Sequence, residues 1–351
     1  MKRLLSALLA AGMALSLSGC GAASAGSSAA ASSAEAAKTA QVFAMDTVMN
    51  LSAYGSGAKT ALKNSQDEIT RLEDLLSRTK SSSEVSGINT HSGAGVQVSA
   101  ETASIVKKAL HFSAVTDGAF DITIAPVVSA WGFTTGKYQV PSAAALAALL
   151  KEVDYKKVSA SGNTVTTGAG QSIDLGGIAK GYASDQIAAI YKKAGVTSGM
   201  ISLGGNVWVD GKKPDGSKWR VAVQDPSDTS KYVGVLKLSD AFAITSGGYQ
   251  RYFEKNGKRY HHIIDPSTGA PAESGLISVT IVSSDNGTMC DALSTAVFVM
   301  GEKKALELWR NSGLKFDMVL VTDKGKVLIT KGISSQFEKE TGTSYEYEVV
   351  S

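Results

Sequence analysis

Two cysteines in 351 residues, Cys20 and Cys290, are too few for a disulfide framework, so the fold must rest on its core. Charge of one sign is scarce too. Lysine and arginine number 35 against 32 carboxylates, a balance of +3 that argues against a dedicated nucleic-acid binder. The apolar run from Leu4 to Leu17 falls short of the roughly 20 residues that a spanning helix needs. Histidine occurs only at positions 91, 111, 261 and 262, and half of that supply stands together in "YHHIIDPSTG". With no cysteine or carboxylate at ligand spacing beside it, this pair argues against a zinc site. The familiar nucleotide signatures are missing as well. Lys180 precedes Gly181 where a Walker loop needs the reverse, and Gly176-Gly177-x-x-x-Gly181 is misspaced for a dinucleotide fingerprint.

What is present is enough apolar residue, 43%, for a sizeable core in two domains or one body with two lobes. The start MKRLLSALLAAGMALSLSGC has the basic beginning, apolar run and small residues of an export signal. Its ending "LSGC" resembles a bacterial lipobox, which would make Cys20 the lipidated first residue of the mature chain. Residues 21–40 are almost all Gly, Ala and Ser and read as a tether. The expectation is a body over 41–345 held at the extracytoplasmic side of the cell membrane by a lipid anchor.

Along the body, the alternation in "VFAMDTVMNLSAY" (42–54) predicts a strand leading into a loop. Leu62, Ile69, Leu72, Leu75 and Leu76 predict an amphipathic helix over 59–76. Further helices are expected near 100–115, 142–151, 178–194, 288–300 and 302–312. Strands fit near 156–160, 163–167, 199–210, 219–224, 232–238, 241–245, 259–264, 276–284, 316–322 and 325–330. Consecutive hairpin-like runs favour α+β, with mixed and antiparallel sheets flanked by helices, over a regular βαβ winding.

Three glycine-dense segments, "DLGGIAKGYASD", "SLGGNVWVDG" and "AITSGGYQRYF", could bring backbone N–H groups close to phosphate, although such clusters also simply build tight turns. Asp291 and Thr295 lie four apart on an expected helix and could offer hard oxygens to Mg²⁺. An exposed Asp and a self-bonded Thr would look the same. On a strand His261 and His262 point to opposite faces, so only one can serve a given site, and a general base is the more attractive role.

Taken jointly these segments resemble the ApbE family of FAD:protein FMN transferases, once described as thiamine-biosynthesis lipoproteins. The likeness runs from about 42 to 345 through "AMDTVMNLSAYG", "LSRTKSSSEVSGIN", "DGAFDITIAPVVSAWGF", "IDLGGIAKGYASD", "SLGGNVWVDG", "TSGGYQRYF", "HHIIDPSTGAP" and "CDALSTAVFVMG". It implies a two-lobed, T-fold-like body that binds FAD in a cleft and transfers FMN with Mg²⁺ to a threonine of exported flavoproteins, such as subunits of membrane electron-transfer complexes, releasing AMP. The implied metal ligands are Asp291, Thr295 and the Gly177 carbonyl. The implied flavin and phosphate contacts are Met45, Ala119, Phe120, Asp121, Asp174, Lys180 and Ile264. His262 would activate the acceptor, with Asp265 beside it. Thr79 stands where many members carry an aromatic residue, and Gly248 where a polar residue is common. An FAD pyrophosphatase giving FMN and AMP, or a non-catalytic FAD-binding lipoprotein, would use much of the same sequence.

Overall fold

A computed structural model describes residues 36–351; the expected signal at 1–20, Cys20 and the tether up to residue 35 lie outside the described residues. The main sheet has nine strands: β1 (Lys38–Ala44), β2 (Thr47–Ala53), β3 (Ser198–Leu203), β4 (Asn206–Gly211), β5 (Ala241–Gly247), β6 (Leu276–Ser283), β7 (Asp317–Thr322), β8 (Lys326–Thr330) and β9 (Glu346–Val350). They lie side by side in chain order, antiparallel except for the parallel pair β8 and β9. An antiparallel meander turns at alternate ends. The links β1–β2, β3–β4 and β5–β6 therefore emerge at one end, and β2–β3, β4–β5 and β6–β7 at the other.

Helices fill the long links. Between β2 and β3 come α1 (Ala58–Leu76), α2 (Glu84–Thr90), α3 (Ala100–Val115), α4 (Ala125–Trp131), α5 (Ala143–Leu149) and α6 (Ala179–Lys193), and between β6 and β7 comes α7 (Gly287–Asn311). The period of two in the strands divides the core. Met49, Leu203, Trp208, Ile244 and Ile281 pack with Ile69, Ile187 and Leu293 of the helices. Val209, Ala243, Val319 and Ile329 face the other way, against Val221, Val223 and Leu236 of a hairpin in the β4–β5 link. A satellite core of Val127, Trp131, Phe133 and Ile264 joins α4 to the hairpin Tyr252–Lys255/Lys258–His261 in the β5–β6 link.

The sequence expectations hold for most elements, and the exceptions are physical. Residues 42–54 form a hairpin rather than one strand, because Met45 (φ +49°) and Asp46 (φ +59°) make a two-residue turn in the left-handed region without the Asn-Gly that usually announces it. Residues 199–210 likewise split at Gly204 and Gly205. The strand expected over 259–264 ends at His261 and pairs with an unexpected partner at Tyr252–Lys255. The two helices expected around residue 301 are there: α7 breaks into two helical stretches at Gly301, φ +75°. The sheet reaches past the expected 41–345 body at both ends, from Lys38 to Val350.

Candidate active site

A cavity of about 430 Å³ lies between the main core and the satellite core. The links from one end of the meander supply Met45, Asp46, Gly204, Gln250, Arg251 and His262, and the helical layer supplies Asp174, Gly177, Lys180, Asp291 and Thr295. Ala119, Phe120, Asp121 and Ile264 also line it, so the cavity gathers every described residue of the expected site except Asp265, and all three glycine-dense segments reach it.

Asp291 is buried, at 3% exposure, where α7 crosses the start of α6. The crossing is close because both helices present glycine: a Cβ on Gly181 would lie 2.3 Å from the Gly287 carbonyl oxygen. One carboxylate oxygen, Oδ2, accepts the Gly181 N–H at 2.8 Å, satisfying a donor that the first turn of a helix leaves over. The other, Oδ1, has the Lys180 ammonium at 3.7 Å. Thr295 stands one turn further along α7, and a Cβ on Gly177 would lie 3.6 Å from its Oγ1. Among the described residues no three His, Cys, Asp or Glu side chains gather into a metal cage. A single carboxylate, a hydroxyl and a carbonyl nonetheless fit Mg²⁺, which keeps several waters and takes few protein ligands.

His262, the first residue beyond the strand, lines the cavity and His261, the last residue in it, does not. His262 Nδ1 lies 3.1 Å from the Arg251 carbonyl oxygen. A carbonyl only accepts, so Nδ1 carries the hydrogen and Nε2 keeps its lone pair. Burial first, then the Arg251 charge, pushes the His262 pKa down to about 3, so the imidazole is neutral at ordinary pH. His261 Nε2 instead meets the Ala272 carbonyl at 3.2 Å, with its ring edge-on to Phe298. A Cβ on Gly248 would lie 2.9 Å from the His261 ring, which accounts for glycine at that position.

One expectation needs correction. Asp265 does not line the cavity. Its Oδ1 accepts the Ser267 N–H and hydroxyl at 2.8 and 2.7 Å, so it closes the Asp-Pro-Ser-Thr-Gly turn, in which Gly269 takes φ +69°. Asp121 reaches the cavity wall, but its carboxylate is occupied by Thr123 and by the Tyr155 N–H at 3.0 Å. Burial raises its pKa against the pull of those bonds. Asp121 thus lines the cavity with its carboxylate held by its neighbours.

The sequence model of the ApbE family matches residues 45–319. The chain belongs to the ApbE family. It is 33% identical to the FAD:protein FMN transferase of Haemophilus influenzae over 98% of this chain and 99% of that protein. The crystal structure of the ApbE protein of Thermotoga maritima superposes with a TM-score of 0.80 at 34% identity, covering 87% of this chain and all of that one. The flavinyl transferase ApbE of Pseudomonas stutzeri, in its apo form, gives 0.77 at 28% identity, covering 88% and 98% of the two chains.

Within this family frame, several cavity residues escaped the sequence reading. Arg78 fans out from the wall to the Ala125 carbonyl at 3.0 Å, the Ser129 hydroxyl at 2.8 Å and Thr134, and lies 3.4 Å from the Asp174 carboxylate. It ties α4 to the segment before α6. Glu73 accepts the Met45 N–H at 2.7 Å and the Lys80 ammonium at 2.7 Å, which holds the left-handed turn in place. Asn206 is 1% exposed in the cavity floor, and its amide has no hydrogen-bond partner among the described residues. A buried amide without a partner is costly unless a ligand supplies one. These side chains sit in short polar runs with no spacing that marks them; only the glycines beside Asn206 gave a signal.

Proposed function

We propose that this chain transfers the FMN half of FAD to a threonine hydroxyl of an exported flavoprotein, such as a subunit of a membrane electron-transfer complex. The observation that carries the reading is the meeting, in one cavity, of a neutral imidazole with a free Nε2 and the oxygen set of Asp291, Thr295 and Gly177. His262 takes the hydroxyl proton as the oxygen attacks the phosphorus on the FMN side. The bond from that phosphorus to the bridging oxygen breaks, and AMP leaves with the bridging oxygen and its electron pair. Lys180 stands beside Asp291 where it can offset phosphate charge. Mg²⁺ held by Asp291, Thr295 and the Gly177 carbonyl would supply charge stabilisation at the phosphoryl oxygens. Lipidation at Cys20 and a position on the extracytoplasmic face of the membrane belong to the same proposal.

The test is to incubate the purified protein with FAD, Mg²⁺ and the soluble acceptor domain of an exported flavoprotein. Equal yields of AMP and of flavin that stays on the denatured acceptor are expected. AMP with no labelled acceptor would make the protein a pyrophosphatase, and neither product would make it a carrier. Asp291→Ala should lose Mg²⁺-dependent AMP release.

A further inference from the structure

Beside the cavity mouth the satellite core carries a ladder of aromatic rings that the transfer chemistry does not use. Tyr138 stacks on Phe253 with centroids 5.2 Å apart and planes at 12°, and Phe253 stacks on Tyr260 at 5.2 Å and 18°. Tyr138 also meets Phe133 at 5.7 Å, and the Phe133 ring lies edge-on to His262 at 6.4 Å. A continuous aromatic path thus leads from open solvent to the base. Its outer end is bare: Tyr138 is 46% exposed and Val140 36%.

The loop that presents Tyr138 is held in shape. Gln139 donates its N–H to the Trp131 carbonyl at 3.2 Å and its side-chain amide to Ala130 at 2.9 Å. Gly132, at φ +82°, lets the Lys137 carbonyl approach to where a Cβ would stand only 2.0 Å away. A rigid aromatic surface loses little entropy on binding.

The unpaired charge around the ladder has one sign. Lys258 and Arg259 are paired with Glu273 and Glu254 at 2.7 and 3.3 Å, whereas exposed Lys137 and Lys255 form no ion pair among the described residues. In the hairpin, Phe253 pairs with Tyr260 and Lys255 with Lys258, so period-two alternation puts both lysines on the aromatic face. The hairpin tip, Asn256-Gly257, is polar and flanked by those lysines, the reverse of a loop built to enter a bilayer.

We infer that the Tyr138–Phe253–Tyr260 ladder, with Lys137 and Lys255, docks an acidic, extended segment of the acceptor protein and leads its hydroxyl to His262. The inference rests on the transferase reading and names the surface that reading requires. Complementary charge would steer the encounter, and the exposed ring would anchor it.

Steady-state kinetics with the full chain separate the two acceptors, protein and water. With a soluble acceptor domain that the wild type labels, Tyr138→Ser should raise the KM for the domain about 10- to 30-fold, in the range of an exposed aromatic anchor. KM for FAD and slow AMP release to water should stay as in the wild type. The double variant Lys137→Glu/Lys255→Glu should raise the same KM, with the deficit shrinking as salt is added. Tyr138 is half in solvent, so unfolding of its variant is not expected, and the charge variant tests the surface without touching a ring. An unchanged acceptor KM in both variants would overturn the inference while leaving the transferase reading intact. Loss of sedimentation with anionic phosphatidylglycerol vesicles, at unchanged acceptor KM, would reassign the ladder to the membrane and overturn it as well. A wild type that labels no acceptor domain would defeat the transferase reading and the inference with it.

Discussion

His262 is neutral in the free protein because burial, the Arg251 guanidinium and the Lys180 ammonium all disfavour its charged form. An incoming diphosphate offsets both cations, so the pKa should rise when substrate binds. The acid limb of kcat should therefore lie at higher pH than that of kcat/KM, which reports the free enzyme. Coincident limbs would remove His262 from the proton transfer. His262→Ala should slow transfer by about 10²- to 10⁴-fold while FAD still binds. The same shift bears on stability. With a folded value of about 3 and an unfolded value near 6.5, the unfolded chain takes up the proton first as pH falls. The contribution of His262 is thus full above pH ~6.5 and is lost as pH falls towards 3, and His262→Gln should flatten that part of a plot of Tm against pH. Asn206 argues in the other direction. Asn206→Leu removes a buried amide without partners, so the ligand-free Tm should hold or rise, while FAD affinity falls about tenfold in a fluorescence titration. An unaltered affinity would show that the amide faces no ligand. At this scale the sequence was informative where chemistry is rare: the expectation that only one of two adjacent histidines serves the site holds, although the strand ends between them and different carbonyls hold the two rings. It was silent on Arg78 and Glu73, whose partners lie tens of residues away.

The crossing of α6 and α7 is the element that places Asp291 and Thr295, the side chains proposed to hold Mg²⁺. A methyl group on Gly181 would meet the Gly287 carbonyl oxygen at 2.3 Å and Asp291 Cβ at 2.6 Å, so the helices must part. Gly181→Ala should lower Tm by several degrees and weaken Mg²⁺-dependent turnover at the same time, because the Asp291 carboxylate is fixed by the N–H of that same residue. Gly87→Ala is the control, since its Cβ would meet nothing within 4 Å in α2, and a helix gains ~0.5–1 kcal/mol from the change. A Gly181→Ala protein with normal turnover would show that the close approach is not needed for the site. Helices α1, α3 and α6 were legible from apolar spacing and a stop at Gly195, since their buried faces repeat at the helical period. The β1–β2 turn was not, because its left-handed residues are Met and Asp, held there by Glu73 and by the pairing on either side. A tertiary contact replaced the glycine that local rules look for.

For the whole molecule, α+β and an antiparallel sheet could be read from the hairpin-like runs, but the order of nine strands could not, since long links hide which strands are neighbours. The sheet order also divides the surface. A second cavity, of about 720 Å³, lies at the opposite end of the meander and is lined by Asp185, Asp210, Asp240 and Asp285. Burial, then the charge of Asp240, pushes the Asp210 pKa up to about 6. A folded value above the unfolded one means that the contribution of this carboxyl is full below pH ~4 and is lost as pH rises through 6. Asp210→Asn should raise Tm at pH 8 and leave it unchanged at pH 4, with no effect on flavin transfer. A change in transfer rate would mean that the two ends communicate.

The parity of the meander also has a practical side. Residues 212–218 open the β4–β5 link, far from the links that carry His262 and Met45. Coupled to a bead through that stretch, the enzyme would be displayed with its reactive rim outward, free to meet macromolecules flowing past. Grafting through residues 256–257 would bury that rim against the support.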